Sequence, residues 1–264
     1  MGGTNLRVAR VNLDNEPTID KQIKIATPGR DGKITVDKLF AKLAETVAIV
    51  DGEQTCNAIG FSFSFPGTPT ADGDMLIELW DKELEIIGGE GMPVGQLLND
   101  ALEAVGQKRR NVIVVNDTVA TYLSGTLEAN NCVAGFVLGT GANICFHSDR
   151  TNLIYNLEAG NYPHLPAGEL DKYLDSKSAD PGFHLAEKMM SGAYIYDLIK
   201  LASKEAIKNN LITGNENSIQ DKIAFEGIER GCLDRSAAYS AVMIASAIRM
   251  SGNTSDCCQI VVEG

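Results

Sequence analysis

Apolar residues along this chain follow two different periods. Alternating or short apolar runs bounded by turn residues predict strands at residues 6–13, 21–26, 58–65 and 75–80. Apolar residues one helical turn apart predict helices at residues 36–50 and 93–105. The second of these helices has Pro93 in its first turn, where a missing N–H leaves no hydrogen bond unmade.

Two continuous apolar runs lie in the middle of the chain. Residues 111–115 and 133–138 predict strands that are buried on both faces. A helix is expected from the first of these strands to about residue 128, residues 182–250 are mostly helical in pattern, and residues 258–262 predict a final strand. This order predicts an α/β fold with mixed sheets. We expect two lobes, at residues 1–117 and 118–264.

Composition narrows the classes of protein that fit this pattern. The chain has 264 residues, 44% hydrophobic and 22% charged, which is ordinary for a globular protein. A net charge of −12 argues against a nucleic-acid groove, which needs a basic stripe. No apolar run approaches the ~20 residues that span a bilayer, and the polar N-terminus does not predict a secretory signal. We therefore expect a cytoplasmic protein, and leave homo-oligomerisation open.

The metal-binding and phosphate-binding motifs with specific spacing are absent. The six cysteines form no C-x-x-C pair and the three histidines are scattered, so no zinc site is predicted. Gly32-Lys33 is followed by Ile34 rather than Ser or Thr, so there is no Walker A loop, and no G-x-G-x-x-G follows a strand.

Three strand ends finish instead in turns of small or polar residues. These turns are Gly2-Gly3-Thr4-Asn5, Asn116-Asp117-Thr118 and Gly139-Thr140-Gly141. Glycine lets backbone N–H groups approach a phosphate closely, and ligands of open α/β sheets bind at such turns. Asp117 ends an apolar strand, where a poorly solvated carboxylate suits a general base. The alternative interpretation is an N-cap for the helix that follows.

Several strings occur in an order that resembles one family. They are Gly2-Gly3-Thr4-Asn5-Leu6-Arg7, Gly60-Phe61-Ser62-Phe63-Ser64-Phe65-Pro66, Asn116-Asp117-Thr118-Val119, Gly139-Thr140-Gly141-Ala142-Asn143, Asn156-Leu157-Glu158 and Glu187-Lys188-Met189-Met190-Ser191-Gly192. Together they resemble the hexokinase family of sugar kinases. The resemblance implies two lobes of the actin-like ATPase (ribonuclease H-like) type, with mixed sheets flanked by helices and a cleft between them.

The same resemblance implies the reaction and its residues. ATP and Mg²⁺ would be used to phosphorylate a hexose, with Asp117 as the catalytic base. Sugar hydroxyls would be bound by Ser64, Lys82, Asn116, Asn143, Glu158 and Glu187. Phosphates would be bound by Gly2, Gly3, Thr4, Asn5, Gly139, Thr140 and Gly141. The resemblance implies no protein metal ligand within this chain.

The chain departs from the family pattern at a few positions. Asp81 precedes Lys82 where the family has Thr, and Ala159 follows Glu158 where it has Trp, so Lys82 could equally be a solvated surface lysine. The first family motif reads Asp-x-Gly-Gly-Thr, and Met1 stands at x. We therefore expect parts of the ATP site to lie beyond both ends, and the 264 residues to bind hexose but phosphorylate it poorly.

Two other classes of protein share these motifs. One is a non-catalytic sugar-binding or regulatory protein on the same fold. The other is a kinase for an amino sugar or a ketohexose, which the sequence does not separate from a glucose kinase because specificity depends on the geometry at single hydroxyls.

Overall fold

The computed structural model describes residues 1–13, 16–52, 56–80, 84–128, 131–215, 218–253 and 257–264. Within them the chain divides into two compact units, Met1–Asp117 and Thr118–Gly264. The division falls where the sequence suggests a lobe boundary, and the functional roles given to the two lobes stay predictions.

The first unit consists of paired strands and two helices. Its strands are β1 (Asn5–Asn12), β2 (Thr18–Ala26), β3 (Ile34–Thr35), β4 (Ala58–Ser62), β5 (Gly67–Pro69), β6 (Met75–Ile77), β7 (Ile86–Ile87) and β8 (Asn111–Val115), and its helices are α1 (Val36–Asp51) and α2 (Val94–Ala104). β1 pairs antiparallel with β2 and β5 with β6, whereas β3 pairs parallel with β7 and β4 with β8. These pairs carry one hydrophobic core.

Local sequence explains where α1 begins and how the core is built. The hydroxyl of Thr35 accepts a hydrogen bond from the N–H of Lys38 at 3.4 Å, which caps the helix. Phe61, Phe63 and Phe65 alternate inward and are all buried. The predicted strand at 58–65 is shorter in the structure and ends at Ser62, because its partner β8 ends at Val115.

The strand β8 is not buried on both faces as the apolar run suggests. Val112 and Val114 are buried, but Ile113 between them is 42% exposed. Because strand side chains alternate between faces, an unbroken apolar run does not by itself show that both faces are covered. The prediction was wrong on this point.

The second unit is a four-stranded sheet packed against helices. Its elements are α3 (Asp117–Glu128, whose first residue closes the first unit), β9 (Cys132–Leu138), β10 (Ala142–Ser148), β11 (Leu153–Asn156), a 3₁₀ turn (Ala159–Asn161), α4 (Glu169–Lys177), α5 (Leu185–Met190), α6 (Ile195–Lys208), α7 (Ile219–Ser251) and β12 (Gln259–Glu263). The strand order is β11-β10-β9-β12, with only the β9–β12 pair parallel.

Burial in this unit follows the sequence pattern more closely. Residues 132–136 of β9 are all buried, so the second apolar run is a strand covered on both faces. The buried residues of α7 include Ser236, Ser240, Met243 and Ala247, which lie three or four positions apart and form one face. No helix among the described residues is both long enough and apolar enough to cross a membrane.

Candidate active site

A cluster of amide and carboxylate side chains lies at the start of β10 and the end of β11. The Oδ1 atom of Asn156 accepts hydrogen bonds from the Asn143 Nδ2 and from the Thr118 hydroxyl, both at 2.9 Å. The Nδ2 of Asn156 donates to the Glu158 Oε1 at 2.7 Å. Asn143 and Glu158 were both predicted to bind sugar, and the structure brings them into one hydrogen-bonded network through Asn156.

Backbone contacts fix the orientation of the Asn143 amide within this cluster. Its Oδ1 accepts from the N–H of Ile144 at 2.8 Å and from that of Ala159 at 3.1 Å. Its Nδ2 is therefore the end that meets Asn156.

Glu158 has a strained backbone. Its φ of 47° and ψ of 46° lie in the left-handed region, which costs a residue with a Cβ roughly 1–2 kcal/mol. Such strain in a non-glycine residue is concentrated at functional sites in proteins. The exposed carboxylate of Glu158 therefore occupies a position that the fold holds against a local preference.

Glu187, the other predicted sugar-binding glutamate, lies in α5. Its Oε2 accepts from the N–H of Ala142 at 3.0 Å, which ties the short helix to the start of β10. The next residue, Lys188, has a side chain only 2% exposed, and its ammonium contacts Asp175 at 2.8 Å and Asp180 at 2.9 Å. These charge pairs hold the segment before α5 against the helix, and so help to position Glu187.

The Lys188 pairs also perturb Asp175. Burial alone would raise the pKa of the Asp175 carboxyl, but hydrogen bonds from Lys188 and from the N–H of Gly182 outweigh burial and lower it. The carboxylate is therefore charged in the folded protein over a wider pH range than a free aspartate.

The predicted phosphate turn Gly139-Thr140-Gly141 is held from one side. The carbonyl of Gly139 accepts from the N–H of Gly192 at 2.8 Å, and that of Thr140 accepts from the N–H of Ala193 at 3.2 Å. Because a trans peptide directs its N–H opposite to its C=O, the N–H groups of Thr140 and Gly141 point away from residues 192–193. Successive N–H groups that point the same way favour an anion.

Close packing fixes the first turn of α3. A Cβ on Gly135 of β9 would lie 2.4 Å from the carbonyl oxygen of Thr118 and 2.5 Å from the backbone nitrogen of Tyr122. Only glycine lets the helix approach the strand this closely. Asp117, the predicted base, is half-buried and directly precedes Thr118 in this turn.

Within the first unit, Ser64 and Asn116 follow two neighbouring parallel strands. Ser62 of β4 is paired with Val115 of β8, so both strands end at the same edge. The N–H of Ser64 donates to the carbonyl of Met1 at 3.2 Å, and Asn116 is 6% exposed. Lys82 lies outside the described residues, so its predicted role stays a prediction.

The first predicted phosphate turn, residues 2–5, is braced by the end of β2 and the loop after it. The hydroxyl of Thr27 donates to the carbonyl of Gly2 at 2.6 Å, and the Thr27 N–H donates to the carbonyl of Thr4 at 3.2 Å. The Arg30 guanidinium donates to the Thr4 hydroxyl at 3.3 Å. Sequence reasoning missed Arg30, and the only signal for it was a basic residue after Pro28-Gly29.

Among the described residues, no group of three His, Cys, Asp or Glu side chains is arranged to hold a metal ion.

Solved structures define the class of fold. The structure of hexokinase from Schistosoma mansoni complexed with glucose matches with a TM-score of 0.84 and 23% identity, covering 100% of this chain and 73% of that one. The fold is therefore the actin-like ATPase type that the resemblance implies, with mixed α/β architecture. This confirms the predicted fold class.

Sequence comparison then gives the family. Two models, each described as hexokinase, match residues 1–127 and 133–229, and the chain belongs to the hexokinase family. Hexokinase-1 of Arabidopsis thaliana is 32% identical over 229 residues, which cover 76% of this chain and 46% of that protein. Hexokinase-2 of rice is 29% identical over 255 residues, covering 85% of this chain and 51% of that protein. The chain thus spans about half the length of these relatives.

Proposed function

We propose that this chain is the hexose-binding part of an ATP-dependent hexose kinase that phosphorylates the 6-hydroxyl of glucose or a similar hexose. The observation that carries the proposal is the cluster of Asn143, Asn156 and Glu158, with Glu187 bonded to the residue before Asn143. A hexose offers several hydroxyls that each donate and accept, and carboxylates and oriented amides are suited to bind them.

The proposed residues have separate roles in the reaction. Ser64, Asn116, Asn143, Glu158 and Glu187 hydrogen-bond hydroxyls that do not react and fix the orientation of the sugar, with Lys82 as a further candidate. Asp117 accepts the proton of the 6-hydroxyl. The oxygen of that hydroxyl bonds to the γ-phosphorus of ATP, and the bond between this phosphorus and the β–γ bridging oxygen breaks. ADP then leaves. Alignment and charge neutralisation supply most of the rate in such a transfer.

The phosphate groups have suitable partners in both units. The N–H groups of Thr140 and Gly141 point to one side of their turn, and Thr4 with Arg30 adds a hydroxyl and a cation at the other turn. These donors suit the phosphates of ATP. Mg²⁺ is commonly bound by substrate phosphates with only one or two carboxylates, so it would be carried with ATP and would neutralise developing charge.

Titration calorimetry and a product assay test the proposal together. We expect the chain to bind glucose, and an ATP analogue with Mg²⁺ in a separate titration. Parallel titrations with fructose and with glucosamine test the ketohexose and amino-sugar alternatives. Formation of hexose 6-phosphate from ATP is followed for the chain and for a version with any in-frame flanking sequence. Binding of glucose without product in either version would favour a non-catalytic sugar-binding protein, and the absence of hexose binding would contradict the proposal.

A further inference from the structure

One asparagine that the proposed reaction does not use connects the predicted sugar-binding residues. We propose that Asn156 is a positioning residue for the hexose site, which orients the carboxylate of Glu158 and the amide of Asn143 without contacting the reacting atoms. The inference rests on the proposed function, because it concerns the same site.

The hydrogen bonds around Asn156 admit a single arrangement of donors and acceptors. The Asn143 Oδ1 already accepts from two backbone N–H groups, so its Nδ2 must donate to Asn156. Asn156 must then present its Oδ1 to Asn143, and the Thr118 hydroxyl donates to the same atom. Only the Asn156 Nδ2 remains for Glu158, whose oxygen must accept. The backbone contacts of Asn143 thus determine which atom donates and which accepts in each bond that Asn156 makes.

This arrangement has a chemical consequence for Glu158. Its side chain is exposed and its backbone is in the left-handed region, so the direction of the carboxylate depends on hydrogen bonds to its oxygens. The bond from Asn156 at 2.7 Å restrains one carboxylate oxygen and directs the other. A carboxylate oxygen held in this direction can accept hydrogen bonds from sugar hydroxyls.

The network extends to the first turn of α3. The Thr118 side chain that bonds Asn156 is fully buried and immediately follows the proposed base Asp117. Asn156 therefore connects two sugar-binding side chains to the turn that carries the base. A loss of Asn156 should affect binding first, and the rate at saturating hexose to a smaller extent.

The variant Asn156→Asp separates positioning from simple packing. It keeps the shape and the oxygen acceptor but replaces the donor with a second carboxylate next to Glu158. Two carboxylates at hydrogen-bond distance repel each other, which favours protonation of one of them, so one takes up a proton as the pH falls and the bond is restored. We expect glucose affinity about tenfold weaker than wild type at pH 8, with the difference falling to about two- or threefold near pH 5.

Two further proteins serve as controls for this pH dependence. Asn152→Asp makes the same change in the same hairpin, where Asn152 contacts His147 and no proposed sugar-binding residue, and it should follow the wild-type pH profile. Combining Asn156→Asp with Glu158→Gln removes the second carboxylate, so the recovery of affinity at low pH should disappear. Melting temperatures of all variants are measured at each pH.

The outcomes separate this inference from the proposed function. Failure of the wild type to bind any hexose would remove both. Normal hexose binding by the wild type, with the same pH profile in Asn156→Asp, would overturn the positioning role alone. If Asn156→Asp does not fold, Thr118→Val tests the same network, because it removes one donor to the Asn156 oxygen at almost constant volume. We expect that variant to weaken glucose binding by about two- to fivefold, and unchanged affinity in it would contradict the inference.

Discussion

Replacing Glu187 with Gln is expected to weaken hexose binding much more than nucleotide binding. The Glu187 Oε2 accepts from the N–H of Ala142 at 3.0 Å, and a glutamine oxygen can keep that bond. The substitution therefore removes the negative charge and replaces the second oxygen, an acceptor, with an NH₂ group, a donor. The hydrogen bond between α5 and β10 is kept. A hydrogen bond to a charged group contributes about 1.5–3 kcal/mol, which corresponds to about 10- to 150-fold in affinity. Because Glu187 is only half-buried, we expect about 10- to 30-fold.

Calorimetric titration of the same protein with glucose and with an ATP analogue measures this difference. Glu205→Gln is the matched control, because Glu205 is half-buried on α6 like Glu187 on α5, and pairs only with Lys208 among the ion pairs of the described residues. That control should bind both ligands like the wild type. Equal losses for glucose and nucleotide in Glu187→Gln would refute the assignment, as would an unchanged glucose affinity.

Three further changes test the phosphate turns and the support of α5. Gly192→Ala would place a Cβ 2.8 Å from the Gly139 carbonyl oxygen and shift the predicted phosphate turn. We expect kcat/KM for ATP to fall about tenfold and glucose affinity to stay within about twofold of wild type. Gly227→Ala is the control, because a Cβ there meets nothing within 4 Å. Arg30→Ala should raise the KM for ATP by several-fold without changing glucose affinity, and an unchanged KM would exclude the arginine from the site. The pKa of Asp175 is lower in the folded protein than in the unfolded chain, where it is about 4. The charged carboxylate therefore stabilises the folded state at pH values above about 4, and this contribution is lost as the pH falls through the pKa of the folded protein. Thermal melts of Asp175→Asn should accordingly show less stability at pH 7 and a shallower further loss below pH 4, whereas melting curves parallel to wild type at every pH would argue against the pair with Lys188.

Local sequence was sufficient for elements that carry their own start and stop signals. The helix predicted at 36–50 is found at Val36–Asp51, where Thr35 caps it, and the strand at 111–115 has the predicted bounds. The mostly helical region at 182–250 is confirmed by α5, α6 and α7.

Elements whose pattern is weaker were missed. The strand β10 mixes polar Asn143 and His147 into its apolar positions, and β11 has only four residues, so neither was predicted. The final strand was predicted from Cys258, but the structure begins it at Gln259, where pairing with β9 starts. The exposure of Ile113 also could not be read from an apolar run, because burial depends on what packs against the sheet.

Contacts within the candidate site were even harder to predict from local sequence. The residues named from family strings could be listed from the sequence, but the bond between Thr118 and Asn156 joins residues 38 positions apart. Neither the orienting role of Asn156 nor the close approach of Gly135 to α3 has a local sequence signal. Both depend on how the strands and the helix pack, which the sequence of one element does not specify.

The central claim is that Asp117 is the base of a hexose kinase whose sugar-binding residues lie within this chain. The most direct test compares the wild type with Asp117→Asn in glucose binding and in glucose 6-phosphate formation from ATP and Mg²⁺. Both proteins are assayed as the 264 residues and with any in-frame flanking sequence. The account predicts nearly unchanged glucose affinity and a rate reduced roughly 10²- to 10⁴-fold wherever the wild type turns over. Near-normal turnover by Asp117→Asn, or no glucose binding by the wild type, would contradict it.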